Sequence, residues 1–275
     1  MKKTVLHITL AMLALGTVSA QKKGKEVKYE KLYYQNVVKE TNEIKITVDN
    51  AVSTAGETKF KLKITNLTGD FIVFKPEESK FIVNGKEMAP KEKWLIIKPN
   101  ESDFRVINLK GAGYNEVKNY SFTVGGLYIA STKGTVMEAP NFDLPASKND
   151  FEAGNCKCTM ANIYKESDRT EVKFKCAYNG QKIGFIQPAK VSVKMPDGKE
   201  YANAKSKADM IMLTKGQDDS FSMRWDRMEG GKAMDMQKVP MTIIWHDAFS
   251  ESELKPLNSE TVNLEFDQAT TEAKK

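Results

Sequence analysis

Thioethers and thiols are the unusual reactive groups in this sequence. Eight of its 13 methionines lie between Met195 and Met241, and Met228, Met234 and Met236 sit together in the run RMEGGKAMDMQ. A loop of that make-up can ligate a soft metal such as copper(I), with Cys156 as a further donor, or offer an adaptable apolar contact to a partner protein. The competing expectation is that the loop folds back over the end of its domain and buries all three. The cysteines are Cys156, Cys158 and Cys176. Cys156 reads either as a reactive thiol or as an inert, half-buried one.

Catalytic residues are scarce. The two histidines are His7, in an N-terminal leader, and His246. His246 stands between Trp245 and Asp247 with no nucleophile motif beside it, and neither a phosphate-cradling Gly-rich loop nor a two-histidine zinc motif occurs. The carboxylate pairs Glu77-Glu78 and Asp218-Asp219 fall in predicted turns, where solvated acids are the ordinary expectation. The sequence therefore predicts neither catalysis nor a cofactor. Of the three tryptophans, Trp94, Trp225 and Trp245, each lies in an apolar run. Trp225 is the one expected to present a ring to solvent, for a partner contact or a glycan.

The opening MKKTVLHITLAMLALGTVSA has a basic start, a short apolar stretch and a small-residue end at Val18-Ser19-Ala20. That pattern predicts an export signal over 1–20, and its apolar run is too short to span a membrane. Gln21 would follow the cut, so no cysteine is there to carry a lipid, and a periplasmic or secreted location is expected. The chain of 275 residues carries 42 basic and 36 acidic ones; losing Lys2 and Lys3 with the leader leaves a net charge of +4. Spread evenly, that charge is too mild for a nucleic-acid partner.

The elements that must position these residues are strands. Ile44, Ile46 and Val48 alternate with polar residues, 53–57 turns the chain, and Phe60, Leu62 and Ile64 return on the same apolar face. From residue 58 to 88 the sequence then runs through a Gly-containing break, an apolar run, Pro76, and a strand ending at Asn84-Gly85. Residues 170–201 repeat that order with Pro188 and Asp197-Gly198, and both dipeptides suit tight hairpin turns. Carried onward, the repeat aligns Trp94 and Ile96 with Met210 and Met212, and sets Phe104, Val106 and Asn108 against Phe221, Met223 and Trp225. It also aligns Tyr120, Phe122 and Val124 with Val239, Met241 and Ile243. Met210, Met212, Met223 and Met241 then read as core fillers.

In the second hairpin, a turn at 166–168 sets Tyr164 opposite Thr170, Met160 opposite Phe174 and Cys158 opposite Cys176. The same logic sets Ile44 opposite Ile64 in the first. Opposed cysteines in a non-hydrogen-bonded pair lie near the separation a disulfide needs, and an exported protein can form one. Two buried thiols filling the core are the alternative.

Short strands spaced by turns, with no persuasive helical period, predict an all-β chain of two tandem immunoglobulin-like antiparallel β-sandwich domains related by internal duplication. The expected division is a basic lead-in over 21–42, a first domain over 43–145, a linker over 146–150, a second domain over 151–268, and a tail over 269–275. Asn66, Asn84-Gly85-Lys86 and Pro99-Asn100-Glu101, with Asn179 and Asp197-Gly198-Lys199, make the chain resemble the telokin-like, immunoglobulin-like domains of bacterial envelope proteins of unassigned function. The second copy departs from that pattern at Lys215-Gly216. The resemblance implies a protein that binds or spaces rather than catalyses. The expected partner is another envelope or extracellular protein, with soft-metal handling and glycan binding as the alternatives.

Overall fold

Two long hairpins in which apolar residues alternate with lysine and threonine form the base of each half of the molecule. The computed structural model describes residues 28–83, 85–205, 207–227 and 234–274. The leader, Asn84 of the expected hairpin turn and Met228 lie outside the described residues. Ile44–Ser53 pairs with Glu57–Asn66, which pairs in turn with Ser102–Lys110, and Leu32–Tyr33 and Val37–Glu40 add to the first of them. The inward set, Ile44, Ile46, Val48, Phe60, Leu62, Ile64, Ile107 and Leu109, is buried. Period-two alternation against one covered face produces that pattern.

Two further four-stranded sheets contribute Phe74, Leu95, Phe122, Leu127 and Leu264 to the same core. One orders Glu260–Glu265, Asn119–Val124, Lys80–Val83 and Lys86–Met88; the other orders Leu254–Pro256, Leu127–Ala130, Phe71–Phe74 and Leu95–Ile97. The short helical turn Pro76–Glu78 joins Phe71–Phe74 to Lys80–Val83. The second half has matching strand orders. Asp150–Ala153, Cys156–Lys165, Arg169–Tyr178 and Asp218–Asp226 form its base. The two companion sheets are built around Met241–Ile244 beside Ser192–Lys194 and around Phe249–Ser252 beside Ile183–Ile186. A third, smaller cluster joins the halves: Phe71 and Phe185 stand 5.5 Å apart, with Ile96, Met210 and Met212 packed around them. Met210 and Met212 thus fill the contact between halves rather than the core of one.

The chain crosses between the halves twice. Phe142–Leu144, expected at the end of the first domain, pairs instead with Met241–Ile244, and Thr135–Val136 pairs with Phe249–Ser252. Glu260–Glu265, expected to close the second domain, pairs with Asn119–Val124, and Leu254–Pro256 pairs with Leu127–Ala130. The two crossing segments dock alike. Met137 donates its N–H to Phe249, and Leu257 donates its own to Leu127 at the matching place. The lead-in is also structural: Tyr34 is buried, donates to the Val117 carbonyl and hydrogen-bonds the Ser53 hydroxyl. The tail forms the short helix Gln268–Ala273, capped by Asp267 and joined to the lead-in by the Thr271 hydroxyl, which accepts from the N–H of Tyr33.

Registers differ locally from the expectation, through bulges and through the place of the turn. Cys158 does face Cys176 and Met160 faces Phe174, but Tyr164 faces Glu171 because the register shifts between Met160 and Asn162. In the first hairpin Ile46, not Ile44, faces Ile64, because the turn pairs Ser53 with Thr58 and the shift between Asp49 and Val52 moves the ladder by only one residue. An extra residue in one strand of a ladder produces such an offset. Asn50 takes it up with a φ of 55°. No described helix is long and apolar enough to cross a membrane.

Candidate functional site

Most of the residues that the sequence offers for chemistry are spent inside the fold. Cys158 and Cys176 form a disulfide across the second base sheet. Cys156, two residues before it on the same face, is 1% exposed, and burial pushes its thiol up to about 12. A reactive thiol needs the opposite, an accessible and stabilised thiolate. Met236 is fully buried and its carbonyl accepts from the Thr170 hydroxyl, while Met234 packs partly buried against the second core. The described part of the methionine run therefore folds back over the sandwich. No group of three or more metal-ligating His, Cys, Asp or Glu occurs among the described residues.

Trp225, expected to face solvent, is 1% exposed. It stands opposite Thr170, where the first half sets Leu109 opposite Thr58. Its counterpart is the buried Leu109, not the exposed Asn108, and a one-residue slip moves every side chain of a strand to the other face. The same slip hides a surface. Phe104 and Val106, aligned by sequence with the core residues Phe221 and Met223, are 47% and 50% exposed. The strand Asn119–Val124 slips too: Phe122 faces Phe81 as Ile243 faces Val193, so Met241 answers to Tyr120.

Folding brings one catalytic-looking trio together. Ser192, Glu200 and His246 meet at the edge of the second half, with His246 Nε2 at 3.0 Å from Ser192 Oγ and 2.5 Å from Glu200 Oε1. The Ser192 hydroxyl also donates to Glu200, and these bonds, the serine's first, hold the carboxyl below its ordinary range. A hydrolytic relay places the serine on one ring nitrogen and the acid on the other. Here both converge on Nε2, so the histidine cannot draw the serine's proton while the acid orients it. The trio is a surface hydrogen-bond cluster built on a carboxylate acceptor.

The first half carries a second cluster, assembled across three neighbouring strands. Lys75, at the end of Phe71–Phe74, places its ammonium 4.6 Å from the Trp94 ring and 4.4 Å from the Tyr128 ring. Glu78 Oε1 lies 3.6 Å from that ammonium. The carboxylates of the Pro76–Glu78 turn then fix the rings: Trp94 Nε1 donates to Glu77 at 2.6 Å and Tyr128 donates to Glu78 at 2.6 Å. The Glu78 bond is the first cause of a raised Tyr128 phenol. Gly126 allows the close passage of this strand, because a Cβ there would come within 2.3 Å of the Lys75 carbonyl. Trp94, Lys75 and Tyr128 share the sheet face whose neighbouring residues Phe71 and Ile96 are covered by the second half. Trp94 nevertheless remains 41% exposed, whereas Trp225 and Trp245 are each 1% exposed. A sequence signal did exist, in the order Lys75-Pro76-Glu77-Glu78, but nothing local brings Trp94 and Tyr128 to it.

No protein-family model matches the chain, and no curated protein matches it either.

Proposed function

We propose that this chain is an exported, non-catalytic binding protein of a bacterial envelope, built from two immunoglobulin-like sandwich domains derived by duplication, and that it holds an acidic surface of another envelope or extracellular protein. The observation that carries the reading is the outer face of the first base sheet. Across it, Val38 faces Thr47, Thr47 faces Lys63 and Lys63 faces Phe104, and in the next row Lys61 faces Val106. Val38, Phe104 and Val106 are about half exposed or more, at 59%, 47% and 50%. Lys61 lies over the Phe104 ring at 4.6 Å. Apolar groups set among lysines and left uncovered favour contact with a partner whose rim is acidic.

Matching strand orders and the equivalent docking of the two crossing segments support the duplication. The convergence of Ser192 and Glu200 on one nitrogen of His246 supports the non-catalytic reading. The soft-metal alternative loses its best donors to burial, since Met236 and Cys156 lie inside the second core.

The test is capture from a native envelope fraction with the mature chain as bait, beside a variant carrying Phe104→Ser and Val106→Thr. The expected result is a partner held by the native chain, released by raised salt, and lost with the variant. Capture that ignores both salt and the substitutions sinks this surface as the contact.

A further inference from the structure

We propose that the Trp94, Lys75, Tyr128 cluster is a carbohydrate subsite, in which the outer face of the Trp94 indole stacks on one pyranose ring and Glu77 receives its hydroxyls. This goes beyond the protein contact proposed above and uses a different face of the first half.

Three observations carry it. First, the ring is preorganised yet open. Its N–H is tied to Glu77 at 2.6 Å and one face is held by the Lys75 ammonium at 4.6 Å, while the residue stays 41% exposed. A stacking platform needs an aromatic ring fixed before the ligand arrives, because ordering it on binding would cost affinity.

Second, the chemistry left over selects the ligand. A ligand cation has no vacant cage here, since Lys75 already lies against both rings and Glu78. What remains is one flat apolar surface beside an exposed carboxylate, Glu77, which uses Oε1 for the indole. A pyranose offers the complementary pair, an apolar C–H face and hydroxyl donors at its edge. The site also lies at the rim of the contact between the halves, where Ile96 of the adjoining strand is already covered, and ligand sites favour such junctions.

Third, the fold does not require the cluster. In the second half the equivalent turn Pro188–Lys190 presents Ala189 and Lys190 in place of Glu77 and Glu78. Gln187, whose N–H bonds Ala248 as that of Lys75 bonds Gly126, replaces the lysine. Ser250 replaces Tyr128, and Met210 replaces Trp94. All five side chains differ while the turn and both sheets persist, so holding the turn is not what the five are for.

The test is calorimetric titration of the mature chain with soluble oligosaccharides of glucose, mannose, xylose and N-acetylglucosamine, paired with tryptophan emission. Because Trp225 and Trp245 are buried, a change in emission on saturation reports on Trp94. The expected result is one sugar bound with a dissociation constant of about 1 mM or tighter. Trp94→Ala should weaken it about tenfold or more, and Trp94→Phe less. Thermal unfolding of each variant checks that the fold persists. If no sugar of the set binds, or if Trp94→Ala binds as the native chain does, the proposal is overturned. Loss of a captured envelope protein with Trp94→Ala, in the absence of sugar binding, would also overturn it and make the ring a protein contact. Capture that depends on Phe104 and Val106 is read separately, so the two proposals fail independently.

Discussion

The two halves fold the same turn over the same strands and then diverge in what they spend on it. In the first, Pro76–Glu78 is surrounded by Trp94, Lys75 and Tyr128, and the next strand passes so closely that Gly125 and Gly126 are needed; a Cβ on Gly125 would lie 2.5 Å from the Glu78 carbonyl. In the second, the corresponding stretch is Trp245-His246-Asp247-Ala248, one residue longer, and His246 takes a φ of 46° as the chain swings wide. The inward positions diverge in the other direction. Where the first half opposes Ile46 to Ile64, the second opposes Cys158 to Cys176 and bonds them covalently. One half carries an elaborate surface on an ordinary core, and the other a cross-linked core beneath a plainer surface. Core reinforcement and surface elaboration are thus separable in this fold, and the comparison can be broken at several points.

The largest effect should come from the exchanged strands. Ending the chain after Ser252 removes Glu260–Glu265, which belongs by sequence to the second half and by pairing to the first. Val262 and Leu264 are 2% exposed or less. Their burial alone is worth about 3–6 kcal/mol, a large share of a domain's stability. The first half should therefore unfold while the second stays folded. Hydrogen exchange would show protection lost over 44–66 and kept over 156–178; the reverse pattern would mean the crossing segments do not hold the halves as described.

A smaller effect should follow from cutting the staple. The Cys158 to Cys176 bridge closes a separation of 18 residues, and a loop of that size is worth about 3 kcal/mol in the chain-entropy account. Changing both to Ser should lower the unfolding free energy of the second half by about that much and leave the first half unmoved. Changing both to Ile, as at Ile46 and Ile64, should recover part of the loss. If the Ile pair is no better than the Ser pair, the two hairpins are not interchangeable cores.

Alkaline pH should separate the halves by less. Cys156 occupies the place that Ile44 holds in the first half, opposite the last residue of the neighbouring strand. Burial raises its thiol to about 12, above the unfolded value of about 8.5. The protonated form is favoured by folding, so its contribution is fully present below the unfolded value and is lost as pH rises above it. Between pH 8 and 10 the second half should lose about 1–2 kcal/mol that Cys156→Ala does not lose. Equal slopes for the two proteins, followed by denaturant titration at each pH, would show the thiol to be less buried than described.

How much of this was legible in the sequence depended on how local the cause was. Period-two alternation gave the base hairpins, and the pairing of Cys158 with Cys176 came out right only because the bulge near Ala161, between the turn and the cysteines, offset the one-residue error that set Tyr164 opposite Thr170. Trp225 could not be placed, since one residue of loop length decided whether it aligned with Asn108 or Leu109, and the sheet converts that single residue into inside or outside. The strand exchange left no local mark at all. The 135–144 and 255–264 segments are short and edge-like, and which core they join depends on the path of the chain between the halves. Trp94 and Tyr128 were unreadable as a site for the same reason, being brought to Lys75 by two separate strands.

The smallest expected effect is also the one that bears most directly on the Trp94 cluster. Lys75→Gln gives the first half the residue that the second half uses at that place, Gln187. Each ammonium–ring contact at a partly exposed position is worth about 0.5–1 kcal/mol, and the pair with Glu78 at 3.6 Å adds little in water. The Lys75 and Gln stems pack similarly along the turn, so part of the contact energy survives and the unfolding free energy should fall by no more than about 1 kcal/mol. The indole, still tied to Glu77, should become more accessible to a neutral quencher, because its inner face is uncovered. A loss of well over 2 kcal/mol would make the five residues a structural clamp peculiar to the first half. The persistence of the second half's turn without them would then have to come from the longer path through His246 and Asp247.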